Sequence, residues 1–176
     1  MQKVANWIQL GDISAFFFFN RSLRNPITDR LMPLLTKFGG SVWSITITIV
    51  LLLIKKALWH NVGIYLGLCL FVSNLIVHLF KKFLPRPRPY LALNNVTTGS
   101  KLYKDASFPS GHSTASFCMA TVFSKVIPHL SILFFLLAFL VAVSRVYLGM
   151  HYPSDVTIGA ILGVVTVLVI GYCNVI

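Results

Sequence analysis

The chain contains no glutamate and only four aspartates, Asp12, Asp29, Asp105 and Asp155, against 15 lysines and arginines, so its net charge is +11. Charged residues make up 11% of the 176 residues, less than half of the roughly 25% found in soluble domains, and hydrophobic residues make up 56%. This shortage of charge indicates that lipid covers most of the surface. The hydrophobicity argues against nucleic-acid binding, and the length predicts one membrane domain over residues 1–176.

Cysteine is also scarce. Cys69, Cys118 and Cys173 lie far apart inside apolar runs, which excludes a disulfide framework and the ligand spacing of a zinc site. We predict that they are small buried hydrophobic side chains. The first ten residues are amphipathic and lack the basic head and apolar core of a signal peptide.

Long hydrophobic runs dominate what is present. A helix that crosses a bilayer needs about 20 mostly apolar residues. The segments that approach this length are 42–59, 62–80, 113–127, 130–146 and 156–176. They predict an all-α fold, a polytopic membrane helix bundle with five spans. The segment 113–127 is the shortest and most polar, so we expect it to face protein, and Gly159 and Gly163 form a GxxxG pattern that favours close helix packing.

Residues 1–41 do not have the pattern of a simple membrane-spanning helix. Apolar residues such as Trp7, Ile8 and Ile13 recur with helical spacing, which predicts an amphipathic helix lying in the membrane interface. A second, short helix is predicted over 27–38, with Gly39–Gly40 as its stop signal. A broken sixth span in this region is the alternative.

Three short stretches hold most of the ionisable residues in the middle of the chain. The first, KKFLPRPRP, closes the segment 62–80, and its prolines forbid helix, so the chain leaves the membrane stiff and extended. A stiff segment fixes the position of an arginine fork, which binds phosphate oxygens in bidentate fashion. We therefore expect Lys81 and Arg88 to bind an anion, whereas Lys82 and Arg86 are interpreted as anchors of the helix end.

The second stretch, Pro109-Ser110-Gly111-His112, opens the segment 113–127. Proline and serine are helix-start signals, and glycine lets the backbone approach a ligand. Free N–H groups and the positive end of the helix make such a start an anion site. His112 would then lie beside a bound anion.

The third stretch, SRVYLGMHYPSD, joins the last two segments. Asp155 follows His151 by four residues, so its carboxylate can fold back to the imidazole across one turn. A carboxylate on one ring nitrogen fixes the tautomer and makes the other nitrogen a better nucleophile. Arg145 adds a third cation to Lys81 and Arg88, which suits a phosphate monoester with a charge of about −1.5 to −2.

The same residues are compatible with two other kinds of site. Two histidines and an aspartate could form a facial iron site, but three fixed cations would repel a divalent ion, so we expect no metal or other cofactor. A non-catalytic transport protein would carry ionisable residues deep within its spans, where only His78 lies.

Together, KxxxxxxRP, PSGH and SRxxxxxHxxxD resemble the three-part signature of the type 2 phosphatidic acid phosphatase family, which shares its site with vanadium haloperoxidases and class A bacterial acid phosphatases. The resemblance implies a metal-independent membrane phosphatase. It implies that His151 forms a phosphohistidine, that Asp155 orients His151 and that His112 protonates the leaving lipid oxygen. The residues it implies for holding the phosphate are Lys81, Arg88, Ser110, Gly111 and Arg145.

Compact bacterial members of that family act on undecaprenyl diphosphate, phosphatidylglycerol phosphate, phosphatidic acid or lipid A phosphates. The expected partners are therefore the bilayer and a lipid phosphate, and transfer of the phosphate to another lipid is an alternative outcome. Twelve lysines and arginines fall on the motif side if 1–41 joins it, against Lys55, Lys56 and Lys125, so the positive-inside rule predicts a cytoplasmic site. The resemblance implies a bacterial inner membrane with the site facing the periplasm or outside, and we follow it because most of these cations have a catalytic explanation.

Overall fold

The structure, a computed structural model, describes residues 2–99 and 102–172, with side chains described only from residue 10 up to residue 171. Lys101, Cys173 and the side chains of Trp7 and Ile8 lie outside that part. The described residues contain no strand. Their helices are α1 (Gln2–Phe17), α2 (Pro26–Leu35), α3 (Ser41–Leu53), α4 (Ala57–Phe83), α5 (Pro89–Ala92), α6 (Gly111–Val126), α7 (Ser131–Tyr147) and α8 (Pro153–Tyr172).

The all-helical membrane fold is confirmed, but the span count remains a prediction. Helix α4, Pro128–Tyr147 and Pro153–Gly171 are long and apolar enough to cross a membrane, and Pro26–Gly39 with Ser41–Leu53 passes as one span bent by 49°. The predicted segment 42–59 is wrong in its extent, because α3 ends at Leu53 and α4 begins at Ala57. The break holds Lys55 and Lys56, whose charges are costly in hydrocarbon.

Helix α6 occupies the centre of the bundle and packs against α4, α7 and α8. Nine of its 16 residues are buried, which agrees with the prediction that this short, polar segment faces protein. The outer helices instead expose large apolar side chains, among them Val42 at 80% and Ile132 at 86%. Lipid can cover these side chains, so the fold has the surface of an integral membrane protein.

The contact between α6 and α8 depends on the two glycines of the GxxxG pattern. A Cβ added to Gly163 would overlap the Thr114 carbonyl oxygen, and one added to Gly159 would lie 2.6 Å from the Ser110 carbonyl oxygen. The packing interpretation of this pattern therefore agrees with the structure.

We expect Gly163→Ala to lower the free energy of unfolding by about 1–3 kcal/mol, because the new methyl group would force the backbones of α6 and α8 apart. Thermal unfolding in detergent micelles measures the effect. Gly11→Ala is the matched control, since a Cβ there meets nothing within 4 Å. Equal melting temperatures for the two variants would contradict the close packing.

The N-terminal region covers the motif-bearing end of the bundle. Helix α1 packs Phe16 against Tyr152 and Val156, whereas its position in the membrane interface stays a prediction. Asn25 caps α2 in a capping box, and the helical chain continues through a 3₁₀ turn to Gly39, as the glycine stop signal predicts. A Cβ at Gly39 would lie 2.7 Å from the carbonyl oxygen of His112, so glycine lets this turn touch the start of α6.

Candidate active site

The C-terminal ends of α4 and α7 and the N-terminal end of α6 meet at one end of the bundle, where they surround a cavity of about 630 Å³. Six of the eight residues predicted for the site line its wall: Lys81, Arg88, Gly111, His112, Arg145 and His151. Ser110 and Asp155 lie behind the wall. The sequence motifs are thus brought together in space, whereas the roles assigned to them remain predictions.

His151 is buried, and its two ring nitrogens have different surroundings. Nδ1 lies 2.7 Å from the carbonyl oxygen of Ser107, which can only accept a hydrogen bond, so the proton belongs on Nδ1. Nε2 lies 3.3 Å from Nη1 of Arg88, a group that can only donate. The lone pair of the imidazole is therefore on Nε2, beside the arginine fork.

Asp155 does not form the direct hydrogen bond to His151 that the four-residue spacing suggests. Its Oδ2 lies 3.7 Å from Nδ1 of His151 and accepts instead from the hydroxyl of Ser107 at 2.5 Å and from the backbone N–H of Tyr152 at 2.9 Å. The reason is that the Nδ1–H group of His151 donates to the Ser107 carbonyl instead. Asp155 thus acts on His151 at ion-pair distance and through Ser107.

Arg86 is more than the helix-end anchor that its sequence position suggested. Nη1 of Arg86 donates to Oδ1 of Asp155 at 2.7 Å, and Nη2 donates to Oδ2 of Asp12 at 2.6 Å. Its guanidinium also stacks on the ring of Tyr152, 3.9 Å from the centroid. Asp12 accepts from the backbone N–H of Ser154 at 2.9 Å. These bonds connect α1 to the carboxylate behind His151.

The three predicted phosphate-binding cations have different partners. Lys81 and Arg88 both form ion pairs with Asp105, at 2.8 Å for Arg88. Arg145 donates to the hydroxyl of Thr36 at 2.9 Å, and its buried Nε makes no hydrogen bond to any residue that the structure describes. A buried N–H without an acceptor is costly, so this nitrogen is a favourable place for an anion oxygen.

Tyr103 lies over these groups. Its ring centroid is 5.2 Å from the guanidinium carbon of Arg88, 5.5 Å from that of Arg145 and 6.4 Å from the ring centroid of His112. The hydroxyl of Tyr90 donates to the backbone carbonyl of Tyr103 and holds this segment in place. Tyr103 thus bridges the cations and the second imidazole.

Ser110 and Gly111 have different structural roles. Ser110 is fully buried and caps α6, accepting at 3.5 Å from the backbone N–H of Ser113, and its contact with phosphate remains a prediction. Gly111 lines the cavity, and a Cβ there would meet only Val77, at 3.9 Å. The backbone of the first turn of α6 is therefore open to the cavity at Gly111.

The protonation state of His151 can be measured directly. Burial lowers its pKa to about 4; Asp155 opposes that shift, whereas Arg145 and Arg88 add to it. Because the pKa lies below its ordinary value, the neutral form persists as the pH falls to about 4.

We expect ¹⁵N-histidine NMR in micelles at pH 5.5 to show His151 neutral and protonated on Nδ1. A protonated His151 at pH 5.5, or a proton on Nε2, would contradict the geometry.

Sequence reasoning missed the residues that support the motifs rather than form them. Asp105 and Ser107 precede the PSGH stretch, and Asp12 comes from α1, far away along the chain. The only signal for Asp105 and Asp12 was their rarity, as two of four acids in a strongly basic chain. Ser107 gave no signal, because its contribution is a backbone carbonyl together with a hydroxyl.

Comparison with known proteins identifies the region that carries the site. A family model described as the PAP2 superfamily matches residues 62–175. That range contains all three motif stretches, most of α4, and α6, α7 and α8. The part of the chain that supplies Asp12 and Thr36 lies outside it.

Individual relatives cover more of the chain. It is 33% identical over 161 residues to a lipid A 1-phosphatase of Rhizobium etli. The aligned region covers 81% of this chain and 69% of the relative. The chain is 31% identical over 134 residues to an undecaprenyl-diphosphatase of Sulfolobus acidocaldarius, covering 76% and 64%. A solved transmembrane PAP2-type phosphatidylglycerolphosphate phosphatase from Bacillus subtilis matches with a TM-score of 0.77 and 26% identity, covering 96% and 87%.

Proposed function

Because the chain belongs to the PAP2 superfamily and is a membrane lipid phosphatase of that family, we propose that it removes the terminal phosphate of a lipid phosphate or diphosphate through a phosphohistidine on His151. One observation carries the proposal. A single cavity holds two imidazoles and three cations at one end and continues between α3 and α4, along apolar side chains, at the other. A phosphate and an acyl or prenyl chain can occupy it together.

In the first step, Nε2 of His151 attacks the phosphorus and the bond to the lipid oxygen breaks, with protonated His112 giving its proton to that oxygen. Burial and the nearby cations lower the pKa of His112 to about 2 in the free site, so His112 takes up this proton as the negatively charged phosphate binds beside it. The charge on the transferred phosphoryl group spreads over its equatorial oxygens, where fixed cations stabilise it most. Lys81, Arg88 and Arg145 supply these cations. The backbone at Gly111 would add hydrogen bonds from the start of α6.

In the second step, water attacks the phosphohistidine, His112 accepts a proton from that water, and the phosphorus–nitrogen bond breaks to release phosphate and neutral His151. The phosphorylated imidazole is positively charged when Nδ1 keeps its proton. Asp155, 3.7 Å from Nδ1, stabilises that charge, and the Ser107 carbonyl keeps the ring in orientation. None of these steps requires a metal ion.

The shape of the cavity supports a substrate embedded in the membrane. Ile45 and Ile49 of α3 and Leu70 and Phe71 of α4 line its outer part, and Gly67 keeps that part wide. These apolar residues would hold the proximal part of a lipid chain while the phosphate reaches the cations. We propose the substrate class of the relatives: lipid A 1-phosphate, undecaprenyl diphosphate, phosphatidylglycerol phosphate or phosphatidic acid.

We also propose a bacterial inner membrane, with the site facing the periplasm. The positive-inside count favours the opposite orientation. However, Arg86 is neutralised by Asp12 and Asp155, while Lys81 and Arg88 are held by Asp105, so these cations are poor topology signals. The sidedness is tested with the variant Leu102→Cys, which changes an exposed residue. The measurement is the reaction of this cysteine with a membrane-impermeant thiol reagent in intact cells and in inverted vesicles.

A panel of purified lipids tests the proposed function. Release of inorganic phosphate from each candidate lipid is measured with the full chain in detergent micelles, with and without a chelator and with orthovanadate. We expect at least one lipid to be hydrolysed, chelator to have no effect and vanadate to inhibit. Activity that chelator removes and zinc or iron restores would overturn the metal-independent mechanism, and no release from any lipid would overturn the substrate class.

A further inference from the structure

Asp105 pairs with two of the three cations predicted to bind the phosphate, although it belongs to none of the three sequence motifs. One carboxylate oxygen, Oδ2, accepts from Nζ of Lys81, and the other, Oδ1, accepts from Nη2 of Arg88 at 2.8 Å. Two oxygens of a phosphate would bridge the same two cations in the same way. The carboxylate and a phosphate would therefore compete for these hydrogen-bond donors.

The hydrogen bonds of Arg88 identify the donor for which the two anions compete. Its Nε donates to the backbone carbonyl of Asp105 at 2.9 Å, and its Nη1 donates to the carbonyl of Met150 at 2.9 Å and faces His151. Nη2 is the donor that the carboxylate of Asp105 holds. Nη2 carries two N–H groups, and Asp105 occupies one of them; a phosphate that bridges Lys81 and this N–H must displace the carboxylate.

The side chain of Asp105 can leave without moving its backbone. It is 49% exposed, whereas the guanidinium of Arg88 is buried. The backbone is held on both sides, by Arg88 Nε at the Asp105 carbonyl and by the N–H of Ser107, which donates to the Arg86 carbonyl at 2.8 Å. Rotation about the side-chain bonds is therefore enough to carry the carboxylate into solvent.

The carboxylate is charged at every working pH. Burial raises the pKa of Asp105, but the hydrogen bonds and charges of Lys81 and Arg88 outweigh burial and hold the pKa at about 2. Lys81 and Arg88 thus meet a full negative charge in the free enzyme. Of the three cations, Arg145 alone has no carboxylate partner among the described residues.

We propose that Asp105 is a competing anion built into the phosphate site: it holds Lys81 and Arg88 in the free enzyme, yields them to the phosphate of the substrate, and takes them back as inorganic phosphate leaves. The proposal rests on the function proposed above. Its consequence is weaker binding of both substrate phosphate and product phosphate, which prevents three cations from retaining the product.

A purely structural role makes the opposite prediction. If Asp105 served only to position Lys81 and Arg88, loss of its charge would let both side chains move and would weaken phosphate binding. The sign of the change in phosphate affinity therefore separates a competing anion from a positioning contact.

The experiment measures inhibition constants of inorganic phosphate and orthovanadate during lipid hydrolysis by the purified chain in micelles. We expect Asp105→Asn and Asp105→Ser to lower both constants by about tenfold, and Asp105→Glu, which keeps the charge, to stay close to wild type. Asp29→Asn is the matched control: it removes a negative charge that pairs with Arg24 outside the cavity, and its constants should change less than about twofold.

Unchanged or higher inhibition constants in both neutral variants would overturn the proposal. Failure of both to fold, judged by thermal unfolding, would also overturn it, because the carboxylate would then be a structural requirement. A wild-type chain that neither hydrolyses a lipid phosphate nor is inhibited by vanadate would instead refute the proposed function. An active, vanadate-sensitive wild type with unaltered neutral variants would refute only the role of Asp105.

Discussion

His151→Ala is expected to reduce phosphate release from a lipid phosphate by at least about 10³-fold, because it removes the atom that forms the covalent intermediate. Nε2 of His151 carries the lone pair of the imidazole and lies 3.3 Å from Nη1 of Arg88. The hydrogen bond from Nδ1 to the carbonyl of Ser107 fixes the orientation of the ring. Water alone would have to attack the phosphate in the variant.

The assay is phosphate release in micelles over a range of enzyme concentrations, with thermal unfolding to verify that the variant is folded. His129→Ala, a change of the same type at an exposed 3₁₀ turn, is the matched control and should keep full activity. A His151→Ala enzyme that folds and retains activity within about tenfold of wild type would contradict the nucleophile role.

His112→Ala is expected to reduce the hydrolysis of a lipid alkyl phosphate by about 10²–10⁴-fold, and to affect an aryl phosphate very differently. A lipid alkoxide is a poor leaving group and needs a proton from His112, whereas nitrophenolate leaves without one. With nitrophenyl phosphate, the variant should therefore form the phosphohistidine quickly and hydrolyse it slowly, since His112 also activates the water.

Rapid mixing of the variant with nitrophenyl phosphate measures this difference. The expected record is a burst of nitrophenol close to the enzyme concentration, followed by a slow steady rate. Wild type, in which both steps are assisted, supplies the control. Equal losses on the alkyl and aryl substrates, without a burst, would show that His112 has no role specific to the leaving group.

The sequence predicts those parts of the fold that depend on local chemistry. Gly39–Gly40 ends the α2 segment, and Ser110 caps α6, because helix boundaries follow from the conformations and hydrogen bonds of a few neighbouring residues. The motif residues also lie at helix ends, as predicted, because ionisable side chains are costly in hydrocarbon. The start of α4 at Ala57 was missed because apolar residues flank Lys55 and Lys56 on both sides.

The contacts of the site depend on tertiary structure and could not be predicted in the same way. The spacing of His151 and Asp155 suggested a direct hydrogen bond, but the loop before α6 inserts Ser107 between them. One of the two carboxylate partners of Arg86 is Asp12, 74 residues away. No periodicity or spacing encodes such pairs, because they depend on the path of a loop between two helices.

Trapping the phosphorylated enzyme is the most direct test that His151 and His112 act on one phosphate. The His112→Ala chain is mixed with ³²P-labelled nitrophenyl phosphate, quenched in alkali, digested and mapped by mass spectrometry. We expect an acid-labile, alkali-stable label on His151, approaching one phosphate per chain, and none in the His112→Ala/His151→Ala double variant. A label on another residue, or turnover of the aryl phosphate by the variant without any labelled protein, would contradict the mechanism.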